Sequence, residues 1–141
     1  MATRSLIATK LPDGKFRSIY CHFDGYPDHN GKILAEHYNT PEKIEALFAL
    51  GSLSFLGEKL AKDNEKDRNN YCTAYHRDCG EKWEHNAPRT YDTLADLIRA
   101  ARDSFGVDYV YVFESGAWAV CRPYAKEIKM KTIPEVLAEP F

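Results

Sequence analysis

The sequence predicts a single α+β domain over residues 1–141, with a largely antiparallel sheet of about five strands and helices packed on one face. Two observations support this prediction. Alternating apolar stretches joined by short turns occur near both ends of the chain, which is typical of β-hairpins. Between them, several segments carry apolar residues at helical spacing. The predicted order of elements is ββααβαββ, and such mixing is typical of α+β folds.

An N-terminal hairpin is predicted from two strand-like stretches, residues 4–11 and 16–23. The turn Pro12-Asp13-Gly14-Lys15 separates them, because proline presets a negative φ and glycine tolerates a positive one. Side chains alternate between the two faces of a strand. Tyr20, His22 and Asp24 are therefore expected on the open or ligand-facing side, opposite Cys21 and Phe23.

Three helices are predicted, at residues 31–38, 41–50 and 92–105. Asn30 is a candidate cap for the first. The second has a clearer start, because Thr40 supplies a capping hydroxyl and a proline follows at the first helical position. In the third, the apolar residues follow the helical stripe closely, and a glycine after Phe105 provides the stop.

The other strands are predicted at residues 70–76, 107–114 and 117–122, the last two forming a hairpin. Residues 52–60 and 77–89 are predicted as loops, and 61–70 as a polar connection with nothing to bury. The tail, residues 123–141, is expected to pack across the body as irregular chain with a helical turn started by Pro134.

Composition excludes several functional classes. Hydrophobic residues make up 44% and charged residues 28% of the chain, as in ordinary globular proteins. The net charge of −2 gives no general attraction to nucleic acid. No apolar run approaches the roughly 20 residues that a membrane span needs. The start of the chain does not resemble a signal peptide, so a cytoplasmic protein with reduced cysteines is expected.

Strand alternation places many aromatic side chains on one predicted sheet face. If the strands align in that way, the face holds Tyr20, His22, Tyr71, Tyr75, Tyr109, Tyr111, Phe113 and Trp118. Two interpretations are open. The face is either an exposed surface for a partner or for a second copy of the chain, or a core covered by the tail and loops.

The stretch from Tyr20 to Gly31 is the densest cluster of chemically useful groups. The pattern His-x-Asp occurs in it and again further along the chain, and on a strand the carboxylate could orient the imidazole as a general base. No nucleophile or phosphate-binding motif accompanies either copy, so no catalytic residue is assigned. The candidate residues for contact with a ligand or partner are Tyr20, His22, Asp24, Tyr26, His76 and Asp78.

Cys72, His76, Cys79 and His85 have side chains that suit zinc. On a strand, however, Cys72 and His76 would lie about 13 Å apart, which is too far for one ion. The alternative is that the cysteines are small core residues. No metal and no cofactor is therefore expected.

The block Tyr20-Cys21-His22-Phe23-Asp24-Gly25-Tyr26-Pro27 resembles an uncharacterised family of small proteins encoded by bacteriophages and prophages. Further matches are Thr3-Arg4, Gly31, His37-Tyr38 and Leu56-Gly57. The resemblance implies an accessory protein that acts in the bacterial cytoplasm. The family has no assigned activity, so the resemblance transfers no site residue.

Three functions are compatible with these observations. The leading hypothesis is a non-enzymatic phage accessory protein that binds and inhibits or redirects a host protein, such as a defence component. The second is a protein that sequesters a small nucleotide with its aromatic and histidine loop. The third is a small hydrolase that depends on metal or on His22, Asp24, His76 and Asp78. Nucleic-acid and membrane partners are not expected, and a homo-oligomer is left open.

Overall fold

Strand pairing joins the N-terminal and C-terminal parts of the chain into one sheet in the computed structural model, which describes residues 2–64 and 70–141. The strands of this sheet in the described residues are β1 (Ser5–Lys10), β2 (Phe16–Cys21), β3 (Leu53–Phe55), β4 (Thr73–Ala74), β5 (Arg89–Tyr91), β6 (Tyr109–Glu114), β7 (Ala117–Cys121) and β8 (Lys131–Thr132). Their order across the sheet is β4-β3-β2-β1-β6-β7-β8, and β5 also pairs with β2.

Both predicted hairpins are confirmed. β1 and β2 are antiparallel, as are β6 and β7. The hairpins meet through β1 and β6, which run parallel with Ile7 opposite Tyr111. A parallel pair needs a crossover connection, and here the whole middle of the chain forms it. The result is one mixed α+β domain.

The helices in the described residues are α1 (Lys32–His37), α2 (Pro41–Phe48), α3 (Tyr75–Cys79), α4 (Trp83–Asn86), α5 (Leu94–Ala100) and α6 (Ile133–Ala138). A π-helical turn, Pro27–Gly31, leads into α1, and another, Ala101–Phe105, follows α5. The three predicted helices are confirmed as α1, α2 and α5. The predicted cap of α2 is also correct, because Thr40 Oγ1 accepts from the Lys43 amide at 3.3 Å.

The predicted number of strands and their order are wrong. The described residues form eight strands, not about five. β3 lies in the loop predicted at residues 52–60, and β5 overlaps the end of the loop predicted at 77–89. β8 lies in the tail. Each has only two or three residues, and so short a strand shows no recognisable alternation. Such strands form because a neighbouring strand offers unpaired backbone groups.

The third predicted strand, residues 70–76, is correct only for Thr73 and Ala74. From Tyr75 the chain enters α3, which ends where Gly80 takes a positive φ of 72°. Strand alternation therefore does not apply to His76 and Asp78.

Helices cover both faces of the sheet, so the prediction of helices on one face is also wrong. On one face, a core that includes Leu34, Leu47 and Val136 brings α1, α2 and α6 against the sheet. On the other, Leu97 and Ile98 of α5 pack in a second core with strand residues such as Leu6, Phe16 and Val110. The connection between the hairpins is long enough to place helices on both sides.

The predicted aromatic face is divided between these two cores. Tyr111, Phe113 and Trp118 are buried in the first, so the interpretation as core is correct for these three. Tyr20 packs at the edge of the second, on the opposite face. The interpretation as a single exposed aromatic face is therefore wrong.

The polar connection at 61–70 is described only in part. Residues 61–64 are exposed, as predicted, whereas residues 65–69 lie outside the described ranges. The tail does pack on the body, where α6 begins with a capping box between Thr132 and Glu135. Within the ranges that are described, no helix has the length and apolarity that a bilayer span requires.

Candidate functional site

The stretch from Tyr20 to Gly31 leads from the end of β2 into α1. Hydrogen bonds to Gly25 attach it to the start of the chain and to the core. The Gly25 amide donates to Thr3 O at 2.8 Å. The Tyr111 hydroxyl donates to Gly25 O at 2.6 Å from inside the core. A Cβ atom at position 25 would lie 2.9 Å from Thr3 O. Only glycine therefore allows the loop to approach the start of β1 so closely.

Asn30 provides the second anchor and is fully buried. Its Nδ2 donates to Ser5 Oγ at 3.2 Å and to Cys21 Sγ at 3.5 Å, and its Oδ1 lies 2.9 Å from His29 Nδ1. Asn30 is thus an internal link and does not cap α1, contrary to the prediction. Burial raises the pKa of the Cys21 thiol to about 12, so this cysteine stays protonated.

A row of side chains, each in contact with the next, lies at the surface around the end of β2. We call it the aromatic strip: Arg89, Phe105, Tyr20, His22 and Phe23. The Arg89 guanidinium lies 5.3 Å from the centre of the Phe105 ring, and Phe105 stacks on Tyr20 at 5.8 Å. The Tyr20 hydroxyl lies 2.7 Å from His22 Nδ1, and His22 meets Phe23 edge-on at 4.6 Å. Phe23 is 44% exposed.

Two further side chains border the aromatic strip near Tyr20. The β1–β2 register, continued by one residue, places Arg4 opposite His22 on the face of Tyr20. Burial raises the pKa of Tyr20, while the positive charge of Arg4 acts in the opposite direction. Tyr75 lies beside the hydroxyl of Ser54 and close to Tyr20. The aromatic strip thus has the Arg89 guanidinium at one end and Arg4 beside Tyr20.

Asp24 and Tyr26 lie next to the aromatic strip but bond to each other. Tyr26 donates its hydroxyl to Asp24 Oδ1 at 3.2 Å, and this bond is the main reason why the pKa of Tyr26 is raised. Asp24 has a φ of 55°, a conformation that aspartate tolerates in turns. His22 and Asp24 therefore have different partners, and the predicted His–Asp pair is not formed.

The second candidate pair, His76 and Asp78, is on α3. His76 Nδ1 lies 2.7 Å from Glu81 O, and its ring meets Trp83 at 5.4 Å. Asp78 Oδ2 accepts from the Ala74 amide at 2.7 Å and from Arg77 at 2.9 Å. Burial acts to raise the pKa of Asp78, but the bonds from Arg77 and Ala74 outweigh it and lower the pKa. Both residues hold α3 in place.

An open cleft of about 510 Å³ lies beside the loop and shares Phe23 with the aromatic strip. Its lining residues are Phe23, Asp24, His29, Ser54, Phe55, Tyr71 and Thr73. The His29 ring meets Phe55 at 5.2 Å. The described lining thus offers rings, hydroxyls and one carboxylate, with no lysine or arginine.

The possible zinc ligands do not come together. Cys72 is buried, with Sγ 3.5 Å from the Tyr38 hydroxyl and 3.4 Å from the Gly57 amide, whereas Cys79 and His85 are exposed. Burial raises the pKa of the Cys72 thiol. Within the described ranges, no three His, Cys, Asp or Glu side chains are placed to hold a metal ion.

The sequence alone does not indicate two members of the aromatic strip, Arg89 and Phe105, and it predicts Phe23 on the face opposite Tyr20 and His22. Arg89 begins β5, which pairs with β2 through Ser18. Phe105 ends the π-helical turn after α5. No local pattern links either residue to Tyr20. The prediction for Phe23 is wrong because strand alternation does not extend beyond Cys21, where β2 ends.

A comparison of the chain with protein-family models, with curated proteins and with solved structures finds no match.

Proposed function

We propose that this chain is a non-enzymatic binding protein that docks on another protein through the aromatic strip. The resemblance to phage-encoded accessory proteins favours a bacterial host protein as the partner. In that case the outcome of binding is inhibition or redirection of the host protein, for example of a defence component.

The observation that carries this proposal is the fixed arrangement of the rings, of which Phe23 is exposed and Tyr20, His22 and Phe105 are half-buried. The His22 amide donates to Leu53 O and the Phe23 amide to Ser54 O, both at 3.0 Å, so β3 holds the backbone beneath these two side chains. Tyr20 is held within β2 and by Phe105. Rings that are already ordered lose little entropy on binding. Aromatic and arginine side chains are also the types enriched at protein interfaces.

The hydrolase hypothesis has less support. General acid–base catalysis needs an imidazole that is free to exchange a proton with substrate and is oriented by a partner. Here Asp24 bonds to Tyr26 and does not orient His22. His76 and Asp78 are both occupied by contacts that stabilise α3.

The nucleotide hypothesis has intermediate support. The cleft beside the loop has rings that could stack on a base, including Phe55 and Tyr71. A nucleotide also carries phosphate, which arginine and lysine recognise. The described lining provides the carboxylate of Asp24 and no such cation.

The proposal is tested by capture from a bacterial lysate with the tagged protein, followed by reconstitution with the captured protein in purified form. Phe23→Ala removes a ring that is 44% exposed in the aromatic strip. Phe141→Ala is the matched control, because Phe141 is 43% exposed and belongs to the C-terminal end of the chain. We expect Phe23→Ala to weaken the purified complex at least about tenfold, as loss of an interface anchor does, and Phe141→Ala to leave it unchanged.

Equal affinity of both variants and the unmodified protein would overturn the proposed surface. The same preparation is heat-denatured and its small-molecule fraction analysed by mass spectrometry. Release of an intact nucleotide, with no protein captured, would favour the sequestering function.

A further inference from the structure

We infer that the open cleft beside the loop binds an arginine side chain of the partner protein. The inference rests on the proposed function and specifies which group of the partner docks next to the aromatic strip. Phe23 belongs to both the strip and the cleft, so the two surfaces adjoin. Three properties of the cleft support the inference: its rings, its hydrogen-bond acceptors and the sign of the charge around it.

Aromatic rings from three adjacent backbone segments line the cleft. The Phe23 amide donates to Ser54 O at 3.0 Å, so the Phe23 segment runs beside β3. Phe55 ends β3 and pairs with Thr73 of β4, and Tyr71 lies two residues before Thr73. The flat guanidinium of arginine stacks on aromatic faces while the N–H groups at its edge stay available for hydrogen bonds. The rings of this cleft therefore suit a guanidinium.

The histidine of the cleft contributes an acceptor. Cys21 donates its thiol hydrogen to Phe23 O at 3.6 Å, so its sulfur accepts from Asn30 Nδ2 and fixes the orientation of that amide. Asn30 Oδ1 can only accept, so His29 Nδ1 carries the hydrogen in the 2.9 Å bond between them. The neutral ring of His29 therefore has an unprotonated Nε2, which accepts from a donor-rich ligand.

Asp24 supplies the negative charge of the cleft. Its backbone is held in place, because Asp24 O accepts from the Asn30 amide at 3.3 Å. Tyr26 donates to Asp24 Oδ1 at 3.2 Å, and no described lysine or arginine forms an ion pair with this carboxylate. A guanidinium donates charge-assisted hydrogen bonds to a carboxylate in this state.

Carboxylates outnumber cations around the cleft. The described lining has Asp24 and no lysine or arginine, and Arg4 and Arg89 are not part of it. Lys59, which follows β3, is paired with Asp63 at 2.9 Å. A neighbouring hollow shares one histidine with the cleft and has three carboxylates and one lysine in its described lining: Asp28, Glu36, Glu58 and Lys32. A cationic side chain is complementary to this charge, whereas a phosphate is not.

The test adds Nα-acetyl-arginine methylamide to the isotope-labelled protein and follows the backbone amide signals by NMR. We expect the signals of residues that line the cleft to shift, such as those of Asp24, Phe55 and Thr73. The citrulline counterpart has a similar shape and no charge, and it should not bind. The lysine counterpart should bind more weakly, because an ammonium does not reproduce the flat, stacked fork of donors.

Asp24→Asn removes the charge and keeps a residue type that tolerates the φ of 55°. It should weaken binding of the arginine derivative about fivefold. Phe55→Leu removes a ring face and should weaken binding about threefold. The matched control is Asp28→Asn, because Asp28 is an exposed carboxylate of the same loop that does not line the cleft. It should leave the affinity unchanged, and thermal melting shows whether each variant is folded.

The inference is overturned if the arginine derivative does not bind, or if the citrulline or lysine counterpart binds as tightly. It is also overturned if Asp28→Asn lowers the affinity as much as Asp24→Asn does. Tighter binding of adenosine monophosphate at the cleft would likewise contradict it and favour the sequestering function.

The captured protein separates this inference from the proposed function. Asp24→Asn should weaken its purified complex about fivefold. If Phe23→Ala weakens the complex and Asp24→Asn does not, the surface is correct and the arginine is wrong. If neither Phe23→Ala nor His22→Ala affects the complex, the surface itself is wrong.

Discussion

His22-Phe23-Asp24 and His76-Arg77-Asp78 have the same spacing of imidazole and carboxylate, but they occupy different structural settings. The first follows the end of β2, where its histidine bonds to Tyr20 and its aspartate to Tyr26. The second lies on α3, where its histidine contacts Glu81 O and its aspartate accepts from the amide of Ala74. In neither copy does the carboxylate orient the imidazole.

The middle residues of the two copies, Phe23 and Arg77, have different environments. Phe23 contacts the His22 ring and is 44% exposed. Arg77 donates to Leu60 O and Cys72 O, both at 2.8 Å, and to both oxygens of Asp78. One segment therefore presents side chains at the surface, and the other joins backbone segments. We therefore expect substitutions in the second segment to lower stability and substitutions in the first to weaken binding.

Arg77→Ala should destabilise the fold most. It removes donors from two backbone carbonyls and leaves Asp78 without its guanidinium partner. We expect a loss of about 2 kcal/mol in the free energy of unfolding, measured by urea denaturation. Arg77→Lys should recover little of this, since an ammonium cannot reproduce the planar fork.

The control for Arg77→Ala is Phe23→Ala, the middle residue of the other copy. It should cost no more than about 0.5 kcal/mol, as is usual for an exposed side chain. If both variants lose the same stability, the distinction between surface and scaffold is wrong.

Asp78→Asn should lower the free energy of unfolding by a smaller amount, and this loss should depend on pH. The folded-state pKa of Asp78 lies below its ordinary value of 3.8. Its charge therefore stabilises the fold above that value, and this contribution is lost as the pH falls through the lower folded-state pKa. The side chain is 36% exposed, so solvent screening limits the effect to about 0.5–1 kcal/mol.

Urea denaturation at pH 7 and at successively lower pH measures this difference. Unmodified protein should be more stable than Asp78→Asn at pH 7, and the two should converge once the pH falls below the folded-state pKa of Asp78. A constant difference across this range would show that the charge of Asp78 does not contribute.

The elements predicted correctly are those with local signals. Thr40 and the following proline mark the start of α2, and the turn at Ser115-Gly116 marks the second hairpin. The short strands β3, β5 and β8 have no such signals, because their pairing depends on strands far away in sequence. The aromatic strip likewise depends on contacts between residues that are far apart in the sequence. Tyr20 and His22 could be selected from one stretch, but Phe105 and Arg89 reach them only through the packing of α5 and the pairing of β5.

The smallest expected effect, and the sharpest test of the comparison, comes from the two histidines. His76→Ala removes the contact with Glu81 O and the ring contact with Trp83, and should cost about 0.5–1 kcal/mol. His22→Ala removes the bond to the Tyr20 hydroxyl. Water can replace that bond at a partly exposed site, so we expect a cost below about 0.3 kcal/mol. Urea denaturation of both variants under identical conditions gives the difference.

The same two variants should affect the affinity for the partner in the opposite order. His22→Ala removes the side chain between Tyr20 and Phe23 and should weaken the purified complex about fivefold, whereas His76→Ala should not change it. His22 would be a scaffold residue if its removal cost as much stability as that of His76 and left binding intact. A histidine with a small effect on stability and a clear effect on binding is what an interface residue requires, since its contacts matter mainly when a partner excludes water from them.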